Sequence, residues 1–164
     1  MLVAAATIAA AASAVNVMSA AAVQPGRPFE VANGQADFRG TIVDNDTGET
    51  VDLAGALRVQ TRLAGSDAEG WMVRWVADVP HATGTGETSG AHYAVQGIDS
   101  GALQLPPGPP TRSVTFEPSF ALHLAGSGFH PPSPCRLLVA VTFDGEGRIT
   151  GLDVHATEPV GPAA

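Results

Sequence analysis

The chain has 164 residues, a length that suits one domain, and its 8 basic and 16 acidic side chains give a formal net charge of −8. This charge argues against a nucleic-acid partner and against an anionic membrane surface, because both require a basic patch on the protein. Cys135 is the single cysteine, which excludes an intrachain disulfide. We interpret it as a small buried hydrophobic residue.

Residues 1–22 form an apolar, alanine-rich segment, and the first charged residue of the chain is Arg27. An uncharged apolar run that ends in small residues is typical of an export signal. The run also reaches the roughly 20 residues that a membrane span needs, although Ser13, Asn16 and Ser19 interrupt it. We therefore predict a cleaved export signal, with an uncleaved anchor as the alternative, and a secreted or cell-envelope location.

The remainder of the chain divides by composition into three parts. Residues 23–36 are rich in Pro, Gly, Gln and Asn without a clear period, which predicts a linker. Residues 37–157 contain the alternating apolar runs and form the predicted domain. Residues 158–164 are predicted to be a frayed tail.

Alternation of apolar with polar residues predicts strands throughout the domain. The longest such runs are 57–63, 71–79, 91–98, 114–124, 137–143 and 149–154. No stretch after residue 26 has a helical period. About seven to eight short strands with turn residues between them predict an all-β fold, a single antiparallel β-barrel or sandwich.

Three places in these strands predict irregular backbone. Ala54-Gly55-Ala56 should let its strand bend or bulge. Pro80 lacks an N–H for the ladder, so its strand should end or bulge there. Pro118 predicts a bulge or an edge strand for the same reason.

The stretch from His81 to Tyr93 combines three glycines with hydroxyl and imidazole side chains. A phosphate-binding loop would need a helix after it, and a strand follows instead, which disfavours a nucleotide site. His92, Tyr93 and Glu87 are the candidate catalytic groups. No histidine pair has the spacing of a metal site, so we predict neither a metal nor a cofactor.

This stretch reads His-Xaa-Xaa-Gly-Xaa-Gly-Xaa-Xaa-Ser-Gly-Xaa-Xaa-Tyr from His81 to Tyr93 and resembles a segment of a group of uncharacterised exported bacterial proteins of actinobacterial type. The similarity extends over residues 50–155 and includes the strand–turn–strand pattern from Leu137 to Val154. The chain departs from the group in its fewer histidines and its proline clusters. The resemblance implies a β-rich fold and export, and it implies no particular activity.

Three functions agree with these features. The leading hypothesis is a non-catalytic exported β-domain that binds a small apolar ligand or a cell-envelope partner. The second is a barrel enzyme, of the kind seen in allene oxide cyclase-like and dirigent-like proteins, that acts on an apolar substrate. The third is a structural or assembly subunit, and the oligomeric state stays open. The predicted ligand-binding residues are Trp71, Trp75, His81, Tyr93, Phe116 and Phe120.

Overall fold

The structure, a computed structural model, describes residues 27–109, 112–126 and 131–157. Over these ranges the chain is all-β and has no helix, which confirms the predicted fold class. The predicted export segment 1–22 and tail 158–164 lie outside the described residues. The strands are β1 (Arg27–Val43), β2 (Thr50–Ser66), β3 (Gly70–Gly86), β4 (His92–Leu105), β5 (Ser113–Phe116), β6 (Ser119–Leu124), β7 (Ser133–Phe143) and β8 (Ile149–Thr157).

All eight strands belong to one antiparallel sheet. β1, β2, β3 and β4 pair in succession, β4 pairs with β6, and β7 pairs with β5 and β6 as well as with β8. The chain therefore runs up and down between neighbours, and each strand buries one face against a common core.

The ends of the sheet, β1 and β8, lie against each other without a ladder of backbone hydrogen bonds. Small residues on β1 allow this approach. A Cβ at Gly34 would lie 3.1 Å from Leu152 Cδ2, and a Cβ at Gly40 would lie 2.8 Å from Ala156 Cβ. The sheet thus folds around its core but is not closed by hydrogen bonds.

The start of β1 corrects the predicted linker. Residues 27–36 belong to β1, which pairs with β2 in one register from Glu30 to Val43. The sequence hides this first part of β1 because small residues, Ala32, Gly34 and Ala36, occupy its inward positions, whereas the later part with Phe38 and Ile42 is an apolar run that predicts a strand. The three small residues give almost no apolar alternation, although their small size lets β8 pack closely.

β3 contains one extra residue near Pro80 relative to both of its neighbours. Asp78 pairs with Arg58, whereas His81 pairs with Ala56, and the register with β4 shifts at the same place. The predicted break at Pro80 is therefore a β-bulge within a continuous strand.

The bulge changes which residues of β3 face the core. Trp75 and Val79 are buried before it, and Ala82 and Gly84 are buried after it, so inward positions pass from odd to even numbers. His81 is exposed as a result. A shift of one residue reverses the direction of every later side chain in a strand.

The predicted bulge at Ala54-Gly55-Ala56 is wrong. β2 keeps one register with β1 through this segment, and the extra residue lies in β3 instead. A Cβ at Gly55 would collide with Ala82 on β3. The glycine here allows close approach of two backbones and does not insert a residue.

β5 and β6 are two parts of one strand interrupted near Pro118. Phe116 pairs with Val139 and Ser119 pairs with Arg136, so the register with β7 is the same on both sides. The Leu137 amide donates to the Pro118 carbonyl at 3.1 Å, and proline has no N–H to return that bond. The bulge predicted at Pro118 is therefore absent. The alternative prediction, an edge strand, is confirmed, because β5 pairs with β7 alone.

Candidate functional site

A set of polar residues gathers at one end of the sheet, and we call it the polar cluster. Its members are Asp44, Thr47, Glu49, Ser89, Tyr93 and Ser133. They come from the β1–β2 turn, the β3–β4 turn and the first residues of β4 and β7. Asp44, Tyr93 and Ser133 are buried.

Glu49 accepts hydrogen bonds on both carboxylate oxygens. Its Oε1 accepts from the backbone amides of Thr88 at 3.1 Å and Ser89 at 2.7 Å. Its Oε2 accepts from the Ser89 hydroxyl at 2.8 Å and from the Tyr93 hydroxyl at 3.1 Å. Gly86 makes room for this carboxylate, since a Cβ there would collide with it. Glu49 therefore fixes the β3–β4 turn to the β1–β2 turn.

Asp44 is equally well satisfied. Its Oδ1 accepts from the Ser133 hydroxyl and from the backbone amide of Asp46 at 3.2 Å. Its Oδ2 accepts from the Thr47 hydroxyl at 2.8 Å and lies 3.4 Å from the Tyr93 hydroxyl. Burial of a carboxylate costs free energy unless such bonds are made, and here three donors bond to it while the Tyr93 hydroxyl lies close by.

These bonds move the pKa values of the cluster away from neutrality. Burial of Asp44 opposes ionisation, but the hydrogen bonds from Ser133, Thr47 and the Asp46 amide together lower its pKa. The Ser89 amide and hydroxyl lower the pKa of Glu49. Burial, together with the nearby carboxylates, raises the pKa of Tyr93.

At neutral pH the cluster thus has two carboxylates that stay ionised and a phenol that stays protonated. A general acid or base works best with a pKa near the working pH, and each of these three groups is shifted away from it. The arrangement stabilises a junction between strands. It does not provide a proton-transfer pair.

The predicted aromatic ligand residues, Trp71, Trp75, Phe116 and Phe120, are all buried in the core. Trp75 stacks on Phe116 with ring centroids 4.4 Å apart. The Trp71 indole N–H donates to Gly108 O at 3.1 Å and to Asp67 Oδ1 at 3.3 Å. The structure does bring these four rings into one hydrophobic core, where Trp75 and Phe116 stack on each other.

The remaining predicted site residues are not brought together. Tyr93 joins the polar cluster, whereas the side chains of His92 and Glu87 are exposed. His81 is exposed at the β3 bulge, where it lines a groove of about 470 Å³ with residues 78–83 and 94–98. No group of three or more metal-ligating side chains occurs in the described parts of the chain. Cys135 is buried, and burial raises the pKa of its thiol to about 12, which leaves it unreactive.

The outward side of β1–β4, which we call the outer face, carries the exposed apolar residues. The large hydrophobic side chains exposed among the described residues are Val31 at 46%, Met72 at 37%, Val76 at 41% and Ile98 at 71%. Each of them lies on this one face. Single exposed apolar residues are ordinary, but four on one sheet face suggest an interaction surface.

Register places two arginines in the middle of this apolar set. Arg62 on β2 is the direct cross-strand partner of Arg74 on β3, and Val31 is the partner of Arg62 on its other side. Both arginines are exposed. In the described ranges neither forms an ion pair, since the salt bridges there are Arg148–Glu146 and His155–Asp153.

A shallow groove of about 470 Å³ runs along the same face beside Val76. Its rim includes two cross-strand hydrogen bonds, from Gln60 Nε2 to Asn33 Oδ1 at 3.1 Å and from Arg58 Nε to Gln35 Oε1 at 3.4 Å. The outer face therefore combines apolar, amide, cationic and acidic groups around one depression, since Asp78 lines it together with Arg58.

The outer face was not predicted from the sequence, and of the polar cluster Tyr93 alone was predicted. The outer face had a local signal, because Met72 and Val76 are apolar residues on the polar side of an alternating strand. The contact of Asp44 with Ser133 joins residues 89 positions apart, and no local pattern indicates it.

No family model, curated protein or solved structure matches the chain. The described ranges also contain no helix of the length and apolarity needed to cross a membrane.

Proposed function

We propose that this chain is a non-catalytic domain that binds a macromolecular partner through the outer face of β1–β4. The observation that supports this most directly is the gathering of Val31, Met72, Val76 and Ile98 on that face. The export of the chain and a partner at the cell envelope belong to the same proposal.

The interior offers less support for a ligand site. A small-molecule site is a cavity lined by apolar groups with a few convergent polar ones. Here Trp75 stacks on Phe116, and Trp71 uses its indole N–H on a loop carbonyl. These three aromatic side chains thus make their described contacts within the protein itself.

The polar cluster gives little support to an enzyme. Tyr93 is its one predicted catalytic residue, and that hydroxyl is held between two ionised carboxylates. His92 and Glu87 do not join it. A barrel enzyme would need acid or base groups that face a substrate cavity.

Site-specific photo-crosslinking tests the proposal. A photo-reactive amino acid replaces Val76 on the outer face or, as the control, the exposed Thr115 of β5, in the organism that encodes the chain. We expect a discrete adduct with a second molecule from position 76 and none from position 115. The adduct should disappear when Met72→Glu is added beside the probe. Equal adducts at both positions, or none at position 76, would overturn the proposal.

A further inference from the structure

The pairing of Arg62 with Arg74 is electrostatically unfavourable for the isolated chain. Like charges at directly opposite positions of an antiparallel pair destabilise it. On β3, the acidic residue on the same side as Arg74 is Asp78, four residues further along the strand. That spacing corresponds to about 13 Å, which is too far for an ion pair with Arg74. The two guanidinium groups are therefore available to an outside anion.

A carboxylate is an anion that satisfies two adjacent arginines and that a polypeptide carries without modification. The planar guanidinium donates two parallel N–H bonds to a carboxylate, and the charge strengthens each bond. The chain has a net charge of −8, and Asp37, Asp52 and Asp78 also lie on the outer face, but none of them is a cross-strand partner of Arg62 or Arg74. The two adjacent arginines therefore form a local cationic site that favours an acidic partner.

The apolar neighbours define what must flank that carboxylate. Met72 and Val76 lie two residues on either side of Arg74 in β3, about 7 Å away in each direction along the strand. An extended polypeptide places every second side chain on one side at this same spacing. An apolar–acidic–apolar series at alternate positions would match Met72, Arg74 and Val76 in turn.

Other occupants fit this face less well. Sugar rings stack on exposed aromatic side chains, and the exposed large side chains here are Val, Met and Ile. A second copy docked symmetrically through this face would bring a second Arg62–Arg74 pair into the same interface and supply no anion from that pair to neutralise either one.

We infer that the outer face binds an acidic polypeptide segment in extended conformation, with carboxylates on Arg62 and Arg74 and alternate apolar side chains beside Met72 and Val76. This inference rests on the proposed function and specifies its partner.

Selection from a random twelve-residue peptide library on the purified chain tests the inference. We expect enriched peptides to contain Asp or Glu with apolar residues two positions away on both sides. Binding of a fluorescent copy of the most enriched peptide should weaken at least tenfold on the double variant Arg62→Gln/Arg74→Gln. A control away from the outer face, Arg148→Gln on the β7–β8 turn, removes one positive charge and should change the dissociation constant less than twofold.

Peptides without acidic residues, the absence of enrichment, or equal binding to the double variant would overturn the acidic-segment inference. The crosslinking experiment separates this failure from that of the proposed function. An adduct at position 76 with a molecule other than an acidic polypeptide would leave the binding face standing and remove only its assigned partner.

Discussion

Ser133 donates its hydroxyl to Asp44 Oδ1, a contact between residues 89 positions apart that joins the start of β7 to the β1–β2 turn. Both residues are buried, so no solvent replaces the bond if it is lost. We expect Ser133→Ala to lower the free energy of unfolding by about 1–3 kcal/mol, because it leaves one lone pair of a buried carboxylate without a donor. Urea unfolding followed by tryptophan fluorescence measures this.

A matched control is Ser113→Ala, since Ser113 bonds to Thr142 at 2.8 Å on the exposed side of β5. Its loss should change the free energy of unfolding by less than about 0.5 kcal/mol, the usual range for a surface substitution. If both substitutions lowered the free energy of unfolding equally, the Ser133–Asp44 bond would stabilise the fold no more than a surface hydrogen bond does.

The polar cluster also predicts acid sensitivity. The pKa values of Asp44 and Glu49 lie below their ordinary 3.8 and 4.5. The folded chain thus binds these protons less tightly than the unfolded chain does. The resulting stabilisation is present above about pH 4.5 and is lost as the pH falls through the lowered values.

We expect the free energy of unfolding to fall between about pH 5 and about pH 3, and to fall less steeply in Asp44→Asn. The exposed Asp52→Asn serves as the control and should keep the wild-type slope. Urea unfolding midpoints measured across this pH range test the prediction. If the midpoint fell with pH equally steeply in wild type and in Asp44→Asn, Asp44 would not be a source of the acid sensitivity.

Thr61 presents an unusual buried polar group. It is fully buried on β2, and its hydroxyl has no hydrogen-bond partner within the described residues. We expect Thr61→Val, which keeps the shape and removes the hydroxyl, to raise the free energy of unfolding by about 1 kcal/mol. Thr61→Ser, which retains the hydroxyl and removes the methyl group, should lower it. A clear loss of stability in Thr61→Val would mean that the hydroxyl is bonded.

Gly101 tests how tightly the interior is packed. A Cβ at this position would lie 2.8 Å from Cε2 of the Trp75 indole. We expect Gly101→Ala to destabilise the chain by about 1–3 kcal/mol, because the indole and Phe116 must move. Thermal unfolding and the tryptophan emission wavelength report both effects.

The control for this substitution is Gly151→Ala in β8, where the new Cβ would meet Thr142 Cβ at an ordinary 3.4 Å. It should be tolerated. If Gly101→Ala proved equally stable, there would be free space beside Trp75. An interior ligand site would then become the better hypothesis.

Much of the fold could be predicted from the sequence because alternation is a local property of a strand. The runs around Val59, Trp75 and Val139 alternate between an apolar face and a polar face, and the structure buries the apolar face of each. The first part of β1, up to residue 36, escaped prediction because Ala32, Gly34 and Ala36 at its inward positions are small. The orientation of His81 escaped it because the one-residue bulge beside Pro80 reverses the faces of β3.

The site residues were harder to predict for a related reason. Arg62 and Arg74 become neighbours only through the β2–β3 register, and Tyr93 meets Asp44 only because separate turns end at the same side of the sheet. Both contacts depend on how the strands pair and where the turns lie, which the spacing of residues along the sequence does not specify. The aromatic residues predicted to bind a ligand are instead the core, as large apolar side chains in a small β-domain usually are.

Native mass spectrometry of the chain purified from the organism that encodes it tests whether the outer face holds a polypeptide partner. We expect a complex with a second polypeptide in the wild type, and the uncomplexed chain in a Met72→Glu/Val76→Glu variant with a wild-type unfolding curve. A small molecule retained by both forms would contradict this expectation and indicate an interior site. The same uncomplexed mass or oligomer in both forms would contradict it as well.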